Sequence, residues 1–311
     1  MTFTQRIGNP DANFWAYAPD TGHIDLSRGT SEDGQLLTLQ TTTNPVRFNP
    51  ASTALIIIDM QNFFLCPALR RQSQNTPTAA ENVAQVLLET GIPAARRHQI
   101  RVVWLNWGLT KDDLACMPPG LVRTFGVYSP VHTAGETRVV SAPANMLRVK
   151  NRSLYRGLGT DLGVLDIGND ESVDGGRVLM RDTWNAALYP PLEKEYKHSF
   201  ASNTPLRDPS RDAKPDVVIY KNRMSGLWGP STDLEEFLKR EGITTLLFAG
   251  VNTDQCVGGT LMDAFSKGYD CILLRDGVAT SSPSAANEAW EYNCMNCWGF
   301  VTSCEALQKA Q

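Results

Sequence analysis

No stretch of this chain is apolar for long enough to span a bilayer: the longest clean run, Ala54 to Ile58, is far short of the roughly 20 residues a membrane helix needs. Basic residues are not in surplus either. With 29 Lys plus Arg against 33 Asp plus Glu the formal net charge is −4, and no Lys/Arg block supplies the electrostatic footprint of a nucleic-acid or anionic-membrane binder. Histidine is scarce, and His23, His98, His132 and His198 show no metal-ligand spacing. Cys294-Met295-Asn296-Cys297 has zinc spacing but no second Cys/His pair nearby, and Trp298 and Phe300 beside it point to core packing. The seven cysteines are an odd number in a chain of 311 residues, which fits reduced thiols better than a disulfide framework. Met1 to Asp11 lacks the charged-then-apolar pattern of a secretory leader, so the expected compartment is the cytosol. These absences leave a small molecule as the expected partner, with no nucleic acid, membrane, metal or cofactor.

What is present is an ordinary folded-domain composition, 42% apolar and 20% charged, enough to bury a sizeable core. Residues 1–52 are polar and rich in Thr, Asn, Asp and Gly without an apolar period, which predicts an irregular N-terminal arm. From Thr53 the pattern changes. Ala54-Leu55-Ile56-Ile57-Ile58 is a continuous apolar run, ending in three β-branched isoleucines, of the kind buried on both faces of a parallel sheet. A helical stretch from Glu81 to Gln99 leads to a second run, Val102 to Leu105, and further runs follow at Val217 to Tyr220, Thr245 to Ala249, Cys271 to Leu274 and, more weakly, Phe300-Val301. Helical periods at Thr232 to Glu241 and Gly259 to Lys267 separate them. The alternation predicts an α/β three-layer sandwich on a doubly wound, mainly parallel six-stranded sheet, with the active site beyond the carboxyl ends of the strands. Residues 53–307 form this predicted domain, and the Gly-rich stretch at about 128–176 is expected as an insertion at the sheet rim.

Three polar residues stand at predicted strand ends. Asp59 closes the first apolar run, where a carboxylate serves either as a general base or as a helix N-cap. Cys256, in Gly250-Val251-Asn252-Thr253-Asp254-Gln255-Cys256-Val257, lies where a strand gives way to a helix. There the positive end of the helix lowers a thiol's pKa and exposes a thiolate, while the alternative is a buried, inert cysteine. Lys221 ends a third run ahead of the apolar loop Ser225-Gly226-Leu227-Trp228-Gly229, and is either a solvated surface charge or an ammonium buried beside a carboxylate. A nucleophile, a base and an orienting charge at one sheet edge make a hydrolytic constellation. Gly157 to Gly163 imitates a dinucleotide loop, but its third glycine is misplaced and no clear strand precedes it.

The segments ALIIIDMQN (Ala54 to Asn62), Lys221-Asn222-Arg223-Met224-Ser225-Gly226 and GVNTDQCV (Gly250 to Val257) give the chain a resemblance to the isochorismatase-like cysteine hydrolases from about Thr53 to Leu307. That resemblance implies an Asp59-Lys221-Cys256 triad, a cis peptide at Val251–Asn252, and an oxyanion hole from the backbone N–H groups of Asn252 and Cys256. It also implies a homo-oligomer, dimer or tetramer. The family's metal-binding nicotinamidases carry Asp-x-His after the second strand, whereas this chain has Asn106-Trp107-Gly108 there. The region around Trp104 to Gly108, the stretch with Trp184, and NCMNCWGFV (Asn293 to Val301) look most like the ureidoacrylate amidohydrolase and biuret hydrolase branch. On that likeness Trp107, Met224 and Trp228 are expected to wall a small flat pocket, with Asn62, Asn106 and Gln255 as hydrogen-bonding groups for a ureido substrate. The implied activity is metal-independent cleavage of a C–N bond through a thioester-type intermediate. Vinyl-ether hydrolysis on the same fold and a non-catalytic binding protein are the alternatives.

Overall fold

A computed structural model describes residues 2–29, 36–69, 78–128, 139–140, 157–199 and 215–311. Its strands, in chain order, are β1 to β5 (Gln5–Asn9, Asn13–Ala18, His23–Asp25, Leu37–Leu39, Val46–Phe48), β6 (Thr53–Ile58), β7 (Arg101–Trp107), β8 and β9 (Val127–Tyr128, Val139–Val140), β10 and β11 (Val164–Gly168, Glu171–Asp174), β12 (Val217–Lys221), β13 (Thr245–Val251), β14 (Asp270–Ala279) and β15 (Phe300–Thr302). Six of them form the central sheet in the order β12-β7-β6-β13-β14-β15. Every neighbouring pair in that sheet is parallel. The expected strands are all present, because a run such as Ala54 to Ile58, wholly buried, has no polar face to give to water.

Two apolar layers lie against the sheet. Ala54, Ile56 and Ile58 of β6 alternate with Leu55 and Ile57. The first set meets Phe237, Leu238, Leu261 and Ala264 from the helices Asp233–Arg240 and Gly258–Ser266. The second meets Val83, Leu87, Ala94 and Leu307 from Ala79–Val86 and its continuation to Arg97, and from Cys304–Gln308. This is the three-layer α/β sandwich. One helix predicted over Glu81 to Gln99 is interrupted by a π turn at Leu87–Gly91. Gly250 is required where β13 crosses β6: its φ is +110°, and a Cβ there would stand 2.1 Å from the Ile58 carbonyl oxygen.

The N-terminal segment is not irregular. β1 to β5 form a second sheet in the order β1-β2-β3-β5-β4, whose Ile24, Leu26, Leu37, Leu39, Val46 and Phe48 join the second apolar layer. Three of its strands are three residues long, too short to show an apolar period, and β1 is exposed throughout. Of the expected insertion at 128–176, residues 129–138 and 141–156 lie outside the described residues; the β10–β11 hairpin is antiparallel, and Leu162 and Leu165 pack into the first layer. Among the described residues no helix is long and apolar enough to cross a membrane.

The N-terminal sheet is fastened by a buried polar knot. Both oxygens of Asp270 accept from the Arg28 guanidinium, at 2.7 and 2.8 Å. Oδ1 also accepts from the Trp15 indole at 2.6 Å and Oδ2 from the Thr245 hydroxyl at 3.0 Å. Replacing Asp270 by Ala strands these donors, including a largely buried guanidinium. The expected loss, read by urea unfolding, is about 3 kcal/mol, because removing one partner of a buried ion pair leaves the other uncompensated.

Candidate active site

The carboxyl ends of β6, β7 and β12 are adjacent, so the residues that close them meet. Lys221 is in register with Trp107 across the β12–β7 pair and shares its face of the sheet, since Val103, Leu105 and Ile219 of the same alternation all lie in the first apolar layer. Asp59 departs from alternation. Its φ of +56° turns the chain just after β6, and its carboxylate joins the Lys221 side instead of the layer of Leu55 and Ile57. Cys256 sits in a π turn, Thr253–Val257, that opens the helix Gly258–Ser266. The peptide between Val251 and Asn252 is cis, at the position the resemblance implies.

Asp59, Lys221 and Cys256 converge. Lys221 Nζ lies 3.0 Å from Asp59 Oδ2, with each side chain only 1% exposed. Nζ also donates to the Arg223 carbonyl oxygen at 3.3 Å and stands 4.0 Å above the Trp107 ring. Asp59 Oδ1 accepts from the Trp107 backbone N–H at 3.2 Å. The Cys256 thiol and the Asp59 carboxylate are close enough for each to shift the other's ionisation. Cys256 Sγ lies 3.4 Å from the Trp107 indole nitrogen and 3.3 Å from Met224 Sδ.

The thiol is not the exposed, acidic one expected at a helix start. Cys256 is 5% exposed, and burial, then the Asp59 charge, push its pKa up to about 12 against the pull of Lys221 and the Trp107 indole. Loss of hydration outweighs the helix end because Trp107, Met224 and Asp59 close over the sulfur. Burial likewise raises Asp59, with Lys221 opposing it. Burial thus holds both acids against ionisation beside the Lys221 side chain.

The residues expected to bind substrate separate into groups. Met224 touches the sulfur. Trp107 is fully buried and lies among the three polar groups rather than walling an open pocket. Trp228 is 51% exposed, with its indole on Asn222 Oδ1 and the Arg223 guanidinium over its ring, rather than on Asp59, Lys221 or Cys256. Asn106 alternates with Trp107 and so leaves β7 toward the opposite side of the sheet. Its Oδ1, like that of Asn62, is buried without a hydrogen-bond donor among the described residues. Asn62 Nδ2 is already held by the Trp184 carbonyl oxygen at 2.9 Å. Gln255 accepts from Asn252 Nδ2 at 3.2 Å and reaches Ser282, bracing the turn around the cis peptide.

Two supporting residues went unassigned in the sequence. Gln61 is fully buried; it donates to the carbonyl oxygens of Trp107 and Ala186 and accepts from the Trp107 N–H, tying the Asp59 turn to the end of β7. Its place two residues after a strand-end Asp was the available signal. Asp254 accepts from the Thr280 and Ser282 hydroxyls, clamping the loop after β14 against the cysteine turn. Among the described residues no three His, Cys, Asp or Glu side chains gather as a metal site.

The Isochorismatase domain model matches residues 174–305. Over 274 residues, 88% of each chain, the protein is 26% identical to the ureidoacrylate amidohydrolase RutB of Methylorubrum extorquens. It superposes on a cysteine hydrolase from Pseudomonas syringae pv. phaseolicola with a TM-score of 0.51 at 17% identity, covering 84% of this chain and 92% of that one. It superposes equally, at 0.51 and 17%, on a pyrazinamidase/nicotinamidase from Streptococcus mutans, covering 81% and 100%; at these identities the two structures speak for the fold. In sequence and in fold, the chain resembles the isochorismatase-like cysteine hydrolases.

Proposed function

We propose that the protein is a metal-independent cysteine amidohydrolase that cleaves a C–N bond of a small carbamoyl or ureido compound. The observation that carries this reading is the meeting of a thiol, a carboxylate and an ammonium at one buried point of the sheet edge. In the proposed cycle Asp59 takes the Cys256 proton as the sulfur attacks the planar carbonyl carbon. The N–H groups of Asn252 and Cys256 hold the oxygen that becomes negative, and among the described residues the Asn252 N–H donates to no backbone carbonyl. The C–N bond then breaks, Asp59 returns its proton to the departing nitrogen, and an acyl-thiol intermediate remains. Asp59 next takes a proton from water as that water attacks the intermediate. The C–S bond breaks and the thiol recovers its proton.

The substrate class rests on two supports. The relatives named as ureidoacrylate amidohydrolases align with most of this chain. The unpaired buried oxygen of Asn62, three residues after Asp59, is an acceptor, and a ureido group offers N–H donors; a buried acceptor left empty costs about 1–3 kcal/mol. The metal-free reading rests on Asn106-Trp107-Gly108, which supplies neither carboxylate nor imidazole at the end of β7. A cytoplasmic homo-oligomer, dimer or tetramer, is the setting proposed with it.

Ammonia release from ureidoacrylate, biuret, carbamoyl amino acids, nicotinamide and simple amides tests the reading. Wild type is expected to turn over a ureido or carbamoyl member, and Cys256→Ala to lose about a thousandfold or more while keeping its melting temperature within a few degrees. Wild-type rates in that variant, or activity confined to nicotinamide, exclude the proposal. Chelator treatment is expected to leave turnover unchanged; loss restored by a divalent cation excludes the metal-free mechanism. Lys221→Met leaves the Asp59 carboxylate buried without its counter-charge, so urea unfolding is expected to show a loss of about 3–5 kcal/mol, partly recovered in Asp59→Leu/Lys221→Met.

A further inference from the structure

Trp107 touches all three members of the triad, each with a different part of itself. Its backbone N–H donates to Asp59 Oδ1 at 3.2 Å, its ring face carries Lys221 Nζ at 4.0 Å, and its indole nitrogen lies 3.4 Å from Cys256 Sγ. The ring is fully buried and locked edge-on against Phe125, with centroids 5.1 Å apart and planes at 77°. Gly108 follows it without a Cβ, which lets the Tyr220 ring close to 2.2 Å from where that atom would stand and seals the strand end. A buried indole N–H needs an acceptor, and the acceptor here is the sulfur.

We infer that Trp107 is a further catalytic residue, whose indole N–H stabilises the negative charge that gathers on Cys256 Sγ when its proton leaves. The inference rests on the proposed thiol chemistry. A neutral thiol is a weak acceptor and a thiolate a strong one, so this hydrogen bond gains strength only as charge develops. An interaction stronger in the charged state than at rest accelerates the step instead of merely tightening the resting enzyme. The donor is already aimed, so no side chain has to reorganise when the proton moves. Burial and the Asp59 charge oppose ionisation of the sulfur. The indole N–H works against both from the side of the sulfur, and the ring face keeps the ammonium in place through a desolvated cation–π contact.

The test is Trp107→Phe, which keeps an aromatic face for Lys221 and removes the N–H. Iodoacetamide alkylation at Cys256, located by mass spectrometry, is followed against pH. The expected result is a rate about tenfold lower at each pH below the plateau, equal to a profile moved up by about one pH unit. Turnover of the ureido substrate is expected to fall about tenfold in kcat, with KM within about twofold. An unchanged alkylation profile in the folded variant overturns the inference. Should Trp107→Phe fail to fold, β-(3-benzothienyl)alanine incorporated at position 107 keeps the bicyclic shape with sulfur in place of N–H, and the same profile decides. Alkylation needs no substrate. An enzyme silent on every amide whose profile still moves therefore refutes the proposed activity and keeps the Trp107 role, whereas full turnover with an unmoved profile does the reverse.

Discussion

The buried ion pair of Lys221 and Asp59 is the constraint on which the rest of the site depends. Taking two charges out of water costs several kcal/mol for each ion, and their attraction offsets this only in close, well-supported geometry. The sheet supplies that geometry. Because β7 lies between β6 and β12, the ends that carry Asp59 and Lys221 are separated by a single strand whose last residue is Trp107. The indole face, the Trp107 amide and the Arg223 carbonyl then take up the directions the ion pair leaves open. Gln61 holds the same strand end through two hydrogen bonds to the Trp107 backbone and ties it to Ala186 through a third, so the turn that presents Asp59 cannot shift without disturbing β7.

Burial also sets the chemistry. In an open cleft the same thiol would exchange its proton with water, and the carboxylate would be a weak base. Enclosed together, both resist charge, and in the proposed cycle the proton passes from one to the other. The cost of that enclosure is a sulfur that is hard to ionise. Fixed donors around it are what make such a site workable, because in a water-poor environment each is worth more than at the surface.

The central sheet was legible from the sequence because strands buried on both faces are written as unbroken apolar runs. Val102 to Leu105 and Thr245 to Ala249 each lie within a single observed strand. The polar residues that end those runs marked the site edge for the same reason: a charged residue after a buried strand is the first that the sheet no longer covers. The N-terminal sheet was not legible. Leu37–Leu39 and Val46–Phe48 are too short to show a period, and their apolar residues count only once docked on helices and strands far along the chain. Asp270, which fastens the same sheet through Trp15 and Arg28, adds nothing recognisable to a pattern, because both partners are more than 240 residues away.

Within the site, residue identity was legible and environment was not. The position of Cys256 at a strand-to-helix transition suggested an exposed thiol at a helix end, because its neighbours along the chain are all that the sequence displays. The atoms that decide its state come from residues 59, 107, 221 and 224, on three other segments. Trp107 shows the same limit more sharply. As one letter after an apolar strand it resembles a pocket wall, since an aromatic ring at a site edge commonly packs on substrate. Only the register Trp107 to Lys221 turns its face to the ammonium, and only the turn at Cys256 brings a sulfur to its N–H. A tryptophan has three distinct chemical surfaces, and which one it presents to which neighbour is fixed by tertiary structure. Its contribution to the reaction therefore follows from where the strands end relative to one another, a property that no single segment contains.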